Sequence, residues 1–266
     1  MNRGSQGRVL PAALAWIPVW QRNLLVWRKM AAASLLGQFG EPFLYLIALG
    51  YGLGGLVGQI EGMPYVLFLA SGIVCSSAMF TASFEGMYSA FTRMTVQGTW
   101  PAMLATPLTI RDIVIGEAVW AATKGVFSAT CILVVAAIMG IVEHWSALAA
   151  IPIAFAVALC FASIALVVTA LASSYDTFLF YTTLGVTPMM MLGGVFFPLQ
   201  RMPELVQTGA QLLPLTHGVA LARPLVTGDT PASLLMAAGG GIGIIAAYTV
   251  ASLYLAVALS KRRLGR

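Results

Sequence analysis

The chain has 266 residues, of which 59% are hydrophobic and only 9% charged, with a formal net charge of +5. No soluble domain of this size would expose so little charge to water, so the composition excludes one and indicates a polytopic membrane protein. The basic surplus reads as membrane orientation and contact with anionic membrane lipid, not as nucleic-acid binding, because of where the charges fall.

Residues 1–30 are expected to form a cytoplasmic tail and an amphipathic interfacial helix over Ala12–Met30. At about 100° per residue, Trp16, Trp20, Leu24 and Trp27 share a sector about 80° wide, with Arg22 and Lys29 on the other side. Two readings of this helix stand. It is a membrane anchor with its tryptophans in the headgroup zone and its bases on lipid phosphates, or it also touches a cytoplasmic partner. A cleaved signal peptide is not expected, because the basic region is too long and leads into a full span.

A helix rising about 1.5 Å per residue crosses a hydrocarbon core of about 30 Å in about 20 residues. On that measure six spans are predicted, near 32–57, 64–84, 113–142, 146–172, 177–197 and 231–259. Uncharged runs Pro64–Phe84, Trp145–Ser174, Thr177–Gln200 and Thr230–Ser260 carry four of them. Charge interrupts the other two, with Gln38 and Glu41 inside the first and Glu117 and Lys124 at the start of the third. The predicted fold class is all-α: a six-helix membrane bundle over 31–260, between the interfacial helix and a cytoplasmic tail at 261–266. An even number of spans puts both termini on one side. Of the 14 Lys and Arg, only Arg201 and Arg223 fall on the opposite side, so both termini are expected in the cytoplasm.

Ser89–Gly116 is the longest predicted cytoplasmic segment and is too apolar for a solvated linker. Gly98, Pro101 and Pro107 break it into short pieces, with one short helix expected over Trp100–Ala105 and Pro101 in its first turn. The residues alone leave two readings, docking to another protein or lying flat on the bilayer. On the external side, Pro203–Leu213 and Thr216–Val226 are expected as a short re-entrant or interfacial helix pair.

Ionisable groups inside the spans give candidate sites. Glu41 faces a substrate path or a partner helix, or it is a paired or hydrated glutamate near the interface. Glu117 and Lys124 share a helix face and are expected to pair or snorkel. The aromatic run Phe178, Phe180 and Tyr181 reads as an interface belt. Gly239–Gly241 reads as a site of close helix packing. Cys75, Cys131 and Cys160 have no metal-ligand spacing and suggest no disulfide framework, and His144 and His217 are isolated. No G-x-x-x-x-G-K-[ST], H-E-x-x-H or G-x-S-x-G motif occurs, so no catalytic residue, cofactor or metal is assigned, and ATP hydrolysis is not assigned to this chain.

The order of a basic lead-in, six spans, an apolar cytoplasmic loop and a long external loop resembles type-2 ABC exporter permeases, specifically the nodulation-protein-J type. Four stretches carry the likeness: FGEPFLYLIALGYGLG (Phe39–Gly54), GTWPAMLATPLTIRDIVIGEAVWAATK (Gly98–Lys124), VVTALASSYDTFLFY (Val167–Tyr181) and LPLTHGVALARPLVTG (Leu213–Gly228). The resemblance implies a permease in the bacterial inner membrane that exports a lipo-oligosaccharide or similar amphipathic glycolipid. It implies a homodimer working with two copies of a separate ATP-binding ABC subunit. It also implies that an ATPase-coupling loop lies at Gly98, Thr99, Trp100, Pro101, Met103, Leu104, Thr106 and Pro107. Motion would pass from there to spans one, two and five, which would line the path between protomers, with Gln38, Glu41 and Tyr45 as its polar candidates. The chain departs from the family at Pro101, where such permeases often carry a carboxylate. Other readings are a drug or polyketide efflux permease, an ion-coupled carrier, and a membrane assembly protein that transports nothing.

Overall fold

The computed structural model describes residues 11–29, 31, 43, 44, 46–229 and 231–265. The candidate path residues Gln38, Glu41 and Tyr45, and the N-terminal part of the first predicted span, lie outside them. The described part of that span is an apolar helix, α2 (Leu46–Val57), preceded in the chain by α1 (Ile17–Arg28). A two-stranded antiparallel hairpin, β1 (Gln59–Ile60) and β2 (Met63–Pro64), follows α2.

Four helices among the described residues are long and apolar enough to cross a membrane: α3 (Tyr65–Val96), α5 (Ile110–Ile138), α6 (Trp145–Leu171) and the 238–264 part of α10 (Pro231–Leu264). Between α3 and α5 lies the six-residue α4 (Thr99–Leu104). After α6 come α7 (176–192), α8 (Glu204–Ala210) and α9 (Pro214–Thr227).

The second span differs from expectation at its C-terminal end. It does not stop where charge begins at Glu85 but runs on to Val96, passing through two π-helical turns at Glu85–Ser89 and Thr92–Val96. The segment expected as a loop from Ser89 to Gly116 is therefore only 97–109, since α5 already starts at Ile110. The physical reason is that the charges on both helices are paired across their seam, so the helix need not end to hydrate them. Thr109 and Asp112 start α5 with reciprocal side-chain to backbone hydrogen bonds.

The helix in the fifth predicted span is shorter than expected. Helix α7 ends at Leu192, where Gly193 and Gly194 turn the chain, and measures roughly 26 Å. The pair of short helices expected at 203–226 forms, but only its second member sits deep; α8 has a single buried residue, Ala210. Eight residues of α9 are buried, among them Leu215, Val219 and Ala222, because α9 packs against α3, α6 and α10.

Helix α3 is the centre of the bundle, with 83% of its most apolar stretch buried. Small residues let its neighbours approach. A Cβ on Gly125 of α5 would stand 2.7 Å from both the Ala78 carbonyl oxygen of α3 and the Ala158 Cβ of α6. The Gly239–Gly241 triplet plays a smaller part than expected. Gly239 and Gly240 have open space where a side chain would be, and only Gly241 is close to a neighbour, at His217. The three cysteines are unbridged.

Candidate functional site: the α4 end of the bundle

Glu85 and Arg93 lie two turns apart on α3, and Glu117 and Lys124 two turns apart on α5. The helices are antiparallel, so each charge meets its opposite. Arg93 grips Glu117 with Nε at 3.0 Å and Nη2 at 2.6 Å, and Nη2 also lies 3.0 Å from Glu85. Lys124 Nζ reaches Glu85 at 2.7 Å. Two tryptophans complete the set: Trp120 donates to Glu85 at 2.8 Å and Trp100 to Glu117 at 3.2 Å. Ser89 donates to Glu85 as well, at 2.9 Å. Glu85 and Glu117 are only 4% and 1% exposed, so both carboxylates depend on these donors in place of water.

Glu117 and Lys124 thus pair, as expected, but with partners on α3. Sequence reasoning missed Glu85 and gave Arg93 only a part in orientation. A signal was present: Glu…Arg eight apart and Glu…Lys seven apart, on either side of a short break, are complementary when the two helices run antiparallel.

Through Trp100 the lattice holds α4. Gly98 enters the helix in the left-handed region, φ +61°, which suits glycine. Trp100 is buried, and Met103 and Leu104 pack against the apolar cluster formed by Met87, Phe91, Ile113 and Phe178. Pro101, Ala102, Ala105, Thr106 and Pro107 are exposed. The predicted coupling residues therefore divide into an inner set (Trp100, Met103, Leu104) and an outer set (Pro101, Thr106, Pro107), with Gly98 and Thr99 at the turn.

Helix α1 closes the same end. Its tryptophans do not form an open lipid-facing stripe. Trp20 donates to Thr123 of α5 at 3.1 Å, and Trp27 meets Trp120 and Phe127 edge-on. Val19 is buried over Gly116, where a Cβ would come within 2.6 Å of the valine Cβ. Arg22 is half-buried, donates to Asn23 at 3.0 Å and reaches Thr99 of α4 at 3.5 Å. Burial, and then the neighbouring Arg93 guanidinium, push the Arg22 pKa below its ordinary value.

Phe178 is fully buried, not part of an interface belt. It meets Tyr88, Phe91 and Tyr175 with ring centroids 5.1–6.1 Å apart, whereas Phe180 is 64% exposed. Arg263, near the end of α10, donates to the carbonyls of Thr169, Ala170 and Ala172 at 2.6–3.2 Å and so caps α6. The end of the bundle formed by α1, α4 and the ends of α3, α5, α6 and α10 is thus tied by ion pairs, tryptophans and Arg263; of these, the sequence marks Arg93 and Arg263 only as positive charge.

The family model for ABC-2 type transporters matches residues 15–226, which takes in α1, the lattice, α4 and α9. The chain belongs to the ABC-2 type transporter family. This permease is 47% identical over 259 residues to nodulation protein J of Rhizobium leguminosarum bv. viciae, covering 97% of this chain and 98% of that one. It is 46% identical over 249 residues to nodulation protein J of Rhizobium meliloti, covering 94% of each. A more distant relative is the inner membrane transport permease YadH of Escherichia coli, 23% identical over 212 residues, with 78% of this chain and 82% of that one covered. The permease is a multi-pass membrane component of a transporter.

Proposed function

We propose that the permease is the membrane subunit of an ATP-driven exporter in the bacterial inner membrane, with both termini in the cytoplasm. Two copies form the path, and two copies of a separate ATP-binding subunit dock on the α4 ends. The cargo is a lipo-oligosaccharide or similar amphipathic glycolipid, a reading supported by the near full-length likeness to nodulation protein J. Gln38, Glu41 and Tyr45 are the proposed polar groups of the path.

The observation that carries the docking reading is the two-sided character of α4. Its outer residues are exposed and apolar or small, while Trp100 fastens its inner side to Glu117. A helix lying flat on the bilayer needs no such fastening. A docking helix that passes force inward does, since the lattice links it to two long helices at once.

The test is co-purification of the detergent-solubilised permease with a co-expressed ATP-binding subunit, comparing the native segment with one in which Trp100–Pro107 is replaced by Gly/Ser. The expected result is capture by the native chain and loss with the replacement, while the replaced chain stays monodisperse. If no ATP-binding subunit is captured by the native chain, the docking reading fails. The path assignment has its own test: Glu41→Gln and Gln38→Ala are expected to slow export, and normal rates in both would remove it.

A further inference from the structure

A cleft of about 350 Å³ opens between α1, α3 and α5, lined in part by Arg22, Asn23, Trp27, Tyr88, Gln97 and Lys124. Its polar groups are short of acceptors. Asn23 is 3% exposed; its Oδ1 accepts from Arg22, and its Nδ2 is buried with no hydrogen-bond partner among the described residues. Turning the amide over would set a donor against the guanidinium, so Arg22 fixes which way it faces. Arg22 itself has no carboxylate within ion-pair distance among the described residues, and Arg93 stands beside it already engaged by Glu85 and Glu117. Across the cleft and its adjoining lattice, Arg22, Arg93 and Lys124 face Glu85 and Glu117, a surplus of one positive charge. An arginine whose only acceptors among the described residues are neutral, in a cleft with surplus positive charge, is best met by an anion rich in acceptor oxygens.

The rim says what carries that anion. Val26, which also lines the cleft, is 49% exposed, and Trp27 forms part of the wall. An apolar lip next to a cationic cleft fits an amphiphile whose head enters and whose chain stays outside. We propose that this cleft binds the anionic head group, phosphodiester or carboxylate, of a membrane amphiphile, with Arg22 as its charged donor, held in place by the Asn23 Oδ1 that accepts from it. The site requires neither the proposed cargo nor the ATP-binding subunit.

Native mass spectrometry of the full chain tests it, using phosphatidylglycerol and phosphatidylcholine as probes and inorganic phosphate as competitor. Arg22→Gln removes the charge. Asn23→Asp gives Arg22 an internal counter-ion in place of the ligand, and so keeps the test readable where Arg22→Gln folds poorly. Arg28→Gln, an exposed change on the same helix, matches the loss of charge outside the cleft. Phosphatidylglycerol retention is expected to fall about tenfold in Arg22→Gln and Asn23→Asp, with Arg28→Gln within about twofold of native. Phosphatidylcholine and millimolar phosphate should neither replace nor displace it. Equal losses in Arg22→Gln and Arg28→Gln would reduce the effect to general charge. Unchanged retention in both cleft variants would overturn the site, and displacement by phosphate would reassign it to a free anion.

Discussion

Changing Glu117 or Arg93 alone is expected to cost more than changing both. In Glu117→Gln the amide keeps one acceptor for Trp100 or Arg93 Nε but turns a donor toward Arg93 Nη2, which now sits at 2.6 Å from the wrong kind of atom. Arg93 retains Glu85 at 3.0 Å, so the loss falls near the low end for a broken buried pair, about 3 kcal/mol. In Arg93→Gln the Glu117 carboxylate, 1% exposed, is left with Trp100 as its remaining partner, at a cost of about 4 kcal/mol. Two glutamines are neutral and can hydrogen-bond to each other, so the double variant should lose only about 1–2 kcal/mol. The coupling is then about 5–6 kcal/mol, against zero for independent sites. SDS titration of the chain in bicelles, followed by tryptophan fluorescence, measures all three variants against native. If the double variant costs the sum of the single ones to within about 0.5 kcal/mol, the pair is not a working unit and the reasoning fails.

Gly125→Val should destabilise by about 2–3 kcal/mol or more, because the new side chain meets the Ala78 backbone oxygen as well as Ala158; a native unfolding midpoint in the same titration would refute the close approach. Arg263→Ala should fray the end of α6, raising amide hydrogen exchange over 168–173 while exchange at 150–160 stays native, whereas Arg263→Lys should restore part of the protection. At the other end of the bundle, Arg223 donates to Ser71 at 3.0 Å and to the Gly194 carbonyl at 2.7 Å, and lies 3.7 Å over the Phe68 ring. Arg223→Gln should loosen α9 and raise maleimide labelling of the buried Cys75 about tenfold in a Cys131→Ser, Cys160→Ser background; an unchanged rate would show that Arg223 does not hold α9 in place.

Much of this architecture was legible because hydrophobic length is a strong signal. Trp145–Leu171 falls within one residue of the expected fourth span, and α4 and α9 lie within two residues of the short helices expected there. What escaped was pairing. A charge at the end of an apolar run reads as the end of a helix only if it must reach water. Glu85 finds Lys124, Arg93 and Trp120 instead, and the helix continues for another three turns. The same blindness applies to α1. Helical angles correctly put Trp20 and Trp27 on one face, but a tryptophan face is as good for packing on α5 as for facing lipid. Only Gly116, small enough to admit Val19, distinguishes the two, and that is a property of the partner helix.

Buried ion pairs are weak contributors to net stability, since desolvation offsets most of their attraction. An apolar seam between α3 and α5 would hold the bundle about as well, but it could slip by a turn. With Glu85 opposite Lys124 and Arg93 opposite Glu117, a slip of one turn parts both cross-helix pairs; Glu85 and Arg93 keep each other on α3, but Glu117 and Lys124 are left without a counter-charge in a largely buried seam. The lattice therefore acts on register more than on stability, and register is what α4 needs, because Trp100 takes its position from Glu117. The Glu117→Gln, Arg93→Gln double variant separates the two roles. If it unfolds close to native yet releases the co-expressed ATP-binding subunit, the charges serve to position α4. If it keeps that subunit as firmly as the native chain, the charges at 93 and 117 have no part in docking, and α4 is held by Met103 and Leu104 packing together with the hydrogen bond that Trp100 can still donate to the new amide at position 117.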